Sequence, residues 1–284
     1  MALNKFGLKE LPFDKRDFQL GAFTVLPPLE ELPDEFELTT PFPIKNQGDT
    51  DYCSAYSSCG VSELQEEVES FPPYSFAGSK EISGNLEEWG QDLRSACKTH
   101  IKHGFAPVEH INEAQIGDLR VFSNYSDTTH REALKYRKKS FFAVTGDGDS
   151  FDNIKRTIWK YREEKRGIMI GVIWSWRLSD FFLAQPAQSG YGHAMYITGW
   201  RKVAGEDYLV VVNSYGEEAG KNGKHLASRE VINAFVPRFG AYMFLDYDPE
   251  EIKVLMERQE WVMASFWKKC LLYIERIFLS LWKQ

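Results

Sequence analysis

The strongest constraint on this chain is a change of hydrophobic period part-way along it. Over 53–68 apolar residues recur at helical spacing, directly after Asn46-Gln47-Gly48-Asp49-Thr50-Asp51, a run of turn formers. Past residue 166 the pattern becomes short β-rich runs at 167–174, 194–200 and 208–212, each bounded by glycine or charged turns. Further helices are expected over 86–103 and 151–164, the second opened by Asp149 and Ser150 as caps. Helices first and strands afterwards predict an α+β protein of two lobes, one helical and one mainly antiparallel sheet, with a cleft between them. Residues 1–33 mix charges with Pro12, Pro27, Pro28 and Pro33 and hold no period, so they read as an extended arm lying on the domain.

A length of 284 residues is enough to bury a core without disulfide staples. The four cysteines, Cys53, Cys59, Cys97 and Cys270, are too scattered for a secreted disulfide framework, which points to a reducing, cytoplasmic setting. Charges at Lys5, Lys9, Glu10 and Asp14 break up any secretory signal core, and no uncharged apolar run is long enough for a spanning helix. With 34 basic against 41 acidic residues the net charge is −7, so nucleic-acid phosphates are not an expected partner.

Chemistry concentrates at four positions. Cys53 falls at the start of a helix, where unpaired N–H groups and the helix dipole favour a thiolate. Six residues upstream, Gln47 can fold its amide back beside the sulfur as an oxyanion donor. His193 stands between small residues at the head of a strand, in Gly192-His193-Ala194, and Asn213 ends a strand in Asn213-Ser214-Tyr215-Gly216. Taken singly each has a plainer reading: Cys53 as a buried structural thiol, Gln47 as a turn residue, His193 as a core histidine, Asn213 as a strand-end cap.

Taken in order, the four motifs resemble those of the papain-like cysteine peptidases, which run Gln-Gly, Cys-x-Ala-aromatic, Gly/Asn-His-Ala and Asn-Ser-Trp-Gly. Here they read Gln47-Gly48, Cys53-Ser54-Ala55-Tyr56, Gly192-His193-Ala194 and Asn213-Ser214-Tyr215-Gly216. The histidine follows the cysteine by 140 residues and the asparagine by 160. The resemblance covers 34–245, leaving 1–33 as the arm and 246–284 as a C-terminal amphipathic helical extension. It implies a papain-like two-lobed fold and a cysteine endopeptidase acting on protein or peptide substrates, with no cofactor or metal. It also implies a Cys53–His193 thiolate–imidazolium pair, Asn213 orienting the ring, an oxyanion site at Gln47 and the Cys53 N–H, and an acyl-enzyme intermediate.

Departures from the pattern carry information as well. The family's Cys-Gly-Ser-Cys-Trp is Thr50-Asp51-Tyr52-Cys53-Ser54, so the disulfide-forming cysteine is absent and Asp51 replaces glycine. A carboxylate there either favours basic substrate side chains or raises the thiol pKa. Leu11–Phe18 is similar to the Asp-x-Arg-Asp element of stand-alone bacterial and viral members, and an arm of about thirty residues is too short for a large helical propeptide. Two other functions fit the same residues: a papain-fold structural or binding protein, such as a virion component, and a thiol acyltransferase.

Three remaining features are weighed on geometry. Cys97 and His100 share a helix face but His103 points away, so no zinc site is expected there. Gly146-Asp147-Gly148-Asp149 lacks the later ligands of a calcium loop and reads as a turn. In 261–284, Met263, Trp267, Cys270, Ile274 and Leu281 share an apolar stripe opposite Lys268, Lys269 and Arg276. That stripe predicts contact with a membrane surface, a protein partner or the chain's own domain.

Overall fold

A computed structural model describes residues 7–11, 14, 16–255 and 257. The stripe at 261–284 lies outside the described residues, as do Pro12, Phe13 and Lys15 of the arm. The elements run β1 (Phe18–Gln19), α1 (Leu20–Phe23), β2 (Phe36–Glu37), α2 (Cys53–Glu66), α3 (Pro72–Ser83), α4 (Leu93–Lys102), α5 (Asp127–Ala133) and β3 (Ser140–Ala143). They continue with α6 (Ser150–Lys160), β4 (Ile168–Trp174), β5 (Phe182–Leu183), β6 (Tyr191–Val203), β7 (Glu206–Val212), β8 (Lys224–Ala227), α7 (Arg229–Phe239) and β9 (Ala241–Leu245). The α+β order expected from the sequence is present. No described helix is long and apolar enough to cross a membrane.

One sheet holds the second lobe together, in the order β1-β3-β9-β4-β6-β7-β8-β5, with β2 pairing on β6. Its central pairs, β4–β6 and β6–β7, are antiparallel, and parallel pairing is confined to the two edges, β1–β3 and β5–β8. The core beneath it is built from Ile168, Ile170, Val172, Met195, Ile197, Leu209 and Val211, all essentially without solvent contact. Burying such side chains contributes about 1.5–3 kcal/mol each.

Helix α2 packs between β6 and β4 of the sheet and helices α3 and α4, and is buried for most of its length. Small residues make that possible. Gly60 lies against the Tyr196 ring, where a Cβ would collide with the ring carbons, and the Ser57 hydroxyl donates to the Met195 carbonyl of β6 at 2.7 Å. Glu67 ends the helix in a left-handed conformation (φ 52°), sending its N–H back to the Glu63 carbonyl.

Two expectations are corrected here. Helix α4 begins at Leu93 rather than 86, because Asp92 caps it through the Ser95 N–H at 2.8 Å. Helix α3 fills a stretch for which no helix was expected, with Pro72 and Pro73 at its first positions, where a missing N–H costs no intrahelical bond. The helix at 151–164 is present as α6, capped by Asp149 through the Asp152 N–H at 2.9 Å.

The arm is more than a surface strap. β1 adds a parallel strand to β3, and Leu20, Phe23 and Leu26 enter the main core. Asp17 accepts two hydrogen bonds from Arg94 Nε, at 2.8 and 3.0 Å, and one from Nη2 at 2.6 Å, both side chains being largely buried.

Candidate active site

Cys53 is the first residue of α2, and the packing of that helix on β6 decides what it meets. Ser57 touches Met195 and Gly60 touches Tyr196, so the helix ascends alongside the strand. One turn below Ser57 is Cys53, and two strand residues below Met195 is His193, which puts thiol and imidazole at the same level. The backbone N–H groups of Ala194, Gly7 and Ser54 are turned toward the sulfur. Both Cys53 and His193 have no exposed surface.

Asn213 follows the last residue of β7 and lies beside His193, its Oδ1 2.8 Å from His193 Nε2. The same oxygen accepts the Ser214 N–H at 2.8 Å, which fixes it as the carbonyl end of the amide. Tyr215 stacks on the His193 ring at 5.1 Å and 24°, and Trp174 meets that ring edge-on at 5.3 Å.

Gln47 is brought in by a short bridge between Asn46 and Tyr215, reinforced by the Gln47 N–H to Ser214 carbonyl bond at 2.8 Å. Its side-chain oxygen accepts from Ser214 Oγ at 2.5 Å, and its nitrogen donates one proton to the Thr50 carbonyl at 2.6 Å. A second N–H of the same amide remains to serve another acceptor. All four positions singled out in the sequence therefore converge where the start of α2 meets the head of β6 and the end of β7.

Burial governs the charge state. It pushes the Cys53 thiol up to about 11, with the Asp51 carboxylate adding to the rise, and pulls the His193 imidazole down to about 4 despite the hydrogen bond to Asn213. Both shifts favour the uncharged forms of thiol and ring while the pair is buried. Asp51 itself is buried and accepts the Gly90 N–H, closing the rim formed by residues 84–91. Lys80 secures the same rim from below, donating to the carbonyls of Asn85, Glu88 and Gly90.

What buries the pair is the arm, a feature the sequence reading did not foresee. The Gly7 N–H is turned toward the Cys53 sulfur, and Leu8 pairs in parallel with Gln91. The Gln91 N–H donates to the Gly7 carbonyl at 2.7 Å, the Lys9 N–H to the Gln91 carbonyl at 3.1 Å, and the Leu8 N–H to the Gly192 carbonyl at 2.9 Å. The passage admits only backbone: a Cβ on Gly7 would come within 2.6 Å of Asp51, and one on Gly192 would strike the Leu8 carbonyl. The Leu8 side chain is buried against Gly171 and Phe239.

Residues weighed and set aside as metal ligands have other contacts. His100 lies between the hydroxyls of Ser62 and Ser58, at 2.9 and 3.1 Å, and His103 reaches Glu81 at 2.7 Å. Among the described residues, Cys53, Cys59 and Cys97 are free thiols.

By sequence, the chain matches no family model and no curated protein. By structure it has the fold of the papain-like cysteine proteases. Xylellain, a cysteine protease from Xylella fastidiosa, superposes with a TM-score of 0.69 at 18% identity, over 86% of this chain and 97% of that one. Digestive procathepsin L 3 of Tenebrio molitor larval midgut gives 0.62 at 14% identity, over 85% of this chain and 76% of that one. Bromelain from Ananas comosus, in complex with the E64 inhibitor, gives 0.57 at 14% identity, over 76% of this chain and all of that one.

Proposed function

We propose that the chain is a cysteine endopeptidase whose arm holds it in a latent state. The observation that carries this reading is the bond from His193 Nε2 to Asn213 Oδ1, 2.8 Å long, beside a cysteine at a helix start. With Nε2 committed to Asn213, Nδ1 is the nitrogen that serves the thiol.

Departure of the arm rehydrates the pair, and Nδ1 then takes the Sγ proton as the thiolate attacks the scissile carbonyl carbon. The resulting oxyanion accepts from the remaining Gln47 Nε2–H and from the Cys53 N–H, which has no acceptor inside the helix. The protonated ring gives its proton to the departing amine, leaving a thioester on Cys53. Water attacks that thioester while Nδ1 takes its proton, and release of the acid restores the thiol.

The test uses E64, the inhibitor held by bromelain in its solved complex. Intact-mass analysis should find one adduct on Cys53, absent in Cys53→Ala, and formed faster in a Leu8→Asp chain. No adduct in either the parent or the Leu8→Asp chain would sink the peptidase reading.

A further inference from the structure

Behind Asn213 lies a second buried histidine. His225, on β8, has no exposed surface, and its two ring nitrogens are both engaged: Nδ1 is 2.6 Å from the Asp180 carbonyl and Nε2 is 2.9 Å from Asn213 Nδ2. A backbone carbonyl only accepts, so Nδ1 must carry the proton. In the neutral ring Nε2 is then an acceptor, and the Asn213 amide must present its NH₂ to it. That turns Oδ1 the other way, toward His193, where only a donor fits; hence His193 carries its proton on Nε2. The Ser214 N–H, donating to Oδ1 at 2.8 Å, holds the same amide orientation from the other end.

Packing holds the relay rigid. Trp174 meets His193 and His225 edge-on at the same centroid distance, 5.3 Å, and so braces both rings. Gly220, in a left-handed conformation (φ 57°), lies beside the His225 ring, where a Cβ would strike the Lys224 carbonyl and come within 2.9 Å of His225 Nδ1.

We propose that His225 is a positioning residue, which by accepting from Asn213 and donating to Asp180 acts with the Ser214 N–H to hold the His193 tautomer that leaves Nδ1 as the base for Cys53. Its catalytic consequence rests on the peptidase reading, whereas its tautomeric consequence does not. Misplacement of a catalytic group by about 1 Å costs on the order of 100-fold in rate. Replacing His225 with leucine leaves the Asn213 NH₂ buried without an acceptor and should produce a loss of that size, whereas glutamine offers an oxygen near the position of Nε2.

The experiment uses the full chain with ¹⁵N-labelled histidine at neutral pH. Wild type should show His225 protonated on Nδ1 and His193 on Nε2. In His225→Leu the His193 pattern should become mixed, and the rate of E64 addition to Cys53 should fall about 100-fold. His225→Gln should restore the pattern and at least a tenth of the rate. The proposal is overturned if wild-type His225 carries its proton on Nε2, a result that needs no variant to fold. It is equally overturned if folded His225→Leu keeps both pattern and rate, or if glutamine rescues neither. The predicted tautomers in a chain that never takes E64 would remove the peptidase reading and leave the relay standing. Equal labelling of parent and folded His225→Leu, with the His193 pattern unchanged, would do the reverse.

Discussion

At the scale of single residues, Gln47 is the group whose contribution separates most cleanly from structure. Its backbone N–H and its side-chain oxygen both contact Ser214, and only the remaining side-chain N–H is assigned to the developing oxyanion. Removing one oxyanion donor lowers kcat by about 100- to 1,000-fold. Gln47→Ala should therefore reduce kcat by that factor while KM moves little, because the ground-state carbonyl barely uses the donor. Steady-state kinetics in a chain with the cleft opened by Leu8→Asp measures the split, and a loss confined to KM would move Gln47 to a substrate-binding role. The four residues of the candidate site stand out in the sequence because each sits in a short motif whose chemistry needs that residue type. His225 was not, since it stands twelve residues beyond Asn213 in a strand where an inward histidine looks like ordinary burial.

At the scale of elements, the arm shows what periodicity cannot reveal. Helices α2, α4 and α6 were foreseeable from apolar spacing and caps, whereas the course of Gly7–Lys9 depends on backbone hydrogen bonds and on glycines that leave room, neither of which has a period. Helix α3 hid behind Pro72-Pro73, a pair that reads as a break until it is placed at a helix start. Leu8 is the apolar anchor of the Gly7–Lys9 segment, and burial of a leucine stabilises by about 1.5–3 kcal/mol, equivalent to roughly 10- to 100-fold in an opening equilibrium of that segment. Leu8→Asp should accordingly raise the E64 addition rate by about that factor. Asp17→Ala, which frees the buried Arg94 from its carboxylate, should act in the same direction. Arg16→Ala is the matched control, because Arg16 is almost fully exposed and its ion pair is with Asp14, two residues away in the chain. A rate for Leu8→Asp no higher than that control would show that the arm does not gate the thiol.

At the scale of the whole molecule, buried histidines tie stability to pH, His193 and His100 most strongly, with burial also lowering His225. Burial brings His193 down to about 4 and His100 to about 3, the latter with the Lys138 charge nearby adding to the fall. In the unfolded chain both titrate near 6.5. Above that pH neither state binds the proton and the two contribute no slope. Below it the unfolded chain is protonated while the folded chain stays neutral, so the unfolded state binds more protons and stability falls as the pH is lowered from about 6.5 toward 4. One pKa unit is worth about 1.4 kcal/mol, so each ring costs on the order of 3 kcal/mol by the foot of that window, a large part of the ~5–15 kcal/mol that holds a typical domain together. His100 is the residue to test, because it lies away from the thiol, held by Ser62 and Ser58 and stacked on Phe244 at 5.1 Å. Urea midpoints should be level between pH 8 and 7 and then drop steadily to pH 4.5, and the drop should be shallower in His100→Gln, which removes one of the titrating rings. Midpoints that hold constant or rise on acidification would mean that these rings are charged inside the fold, and the neutral resting pair at Cys53 and His193 would have to be abandoned with them.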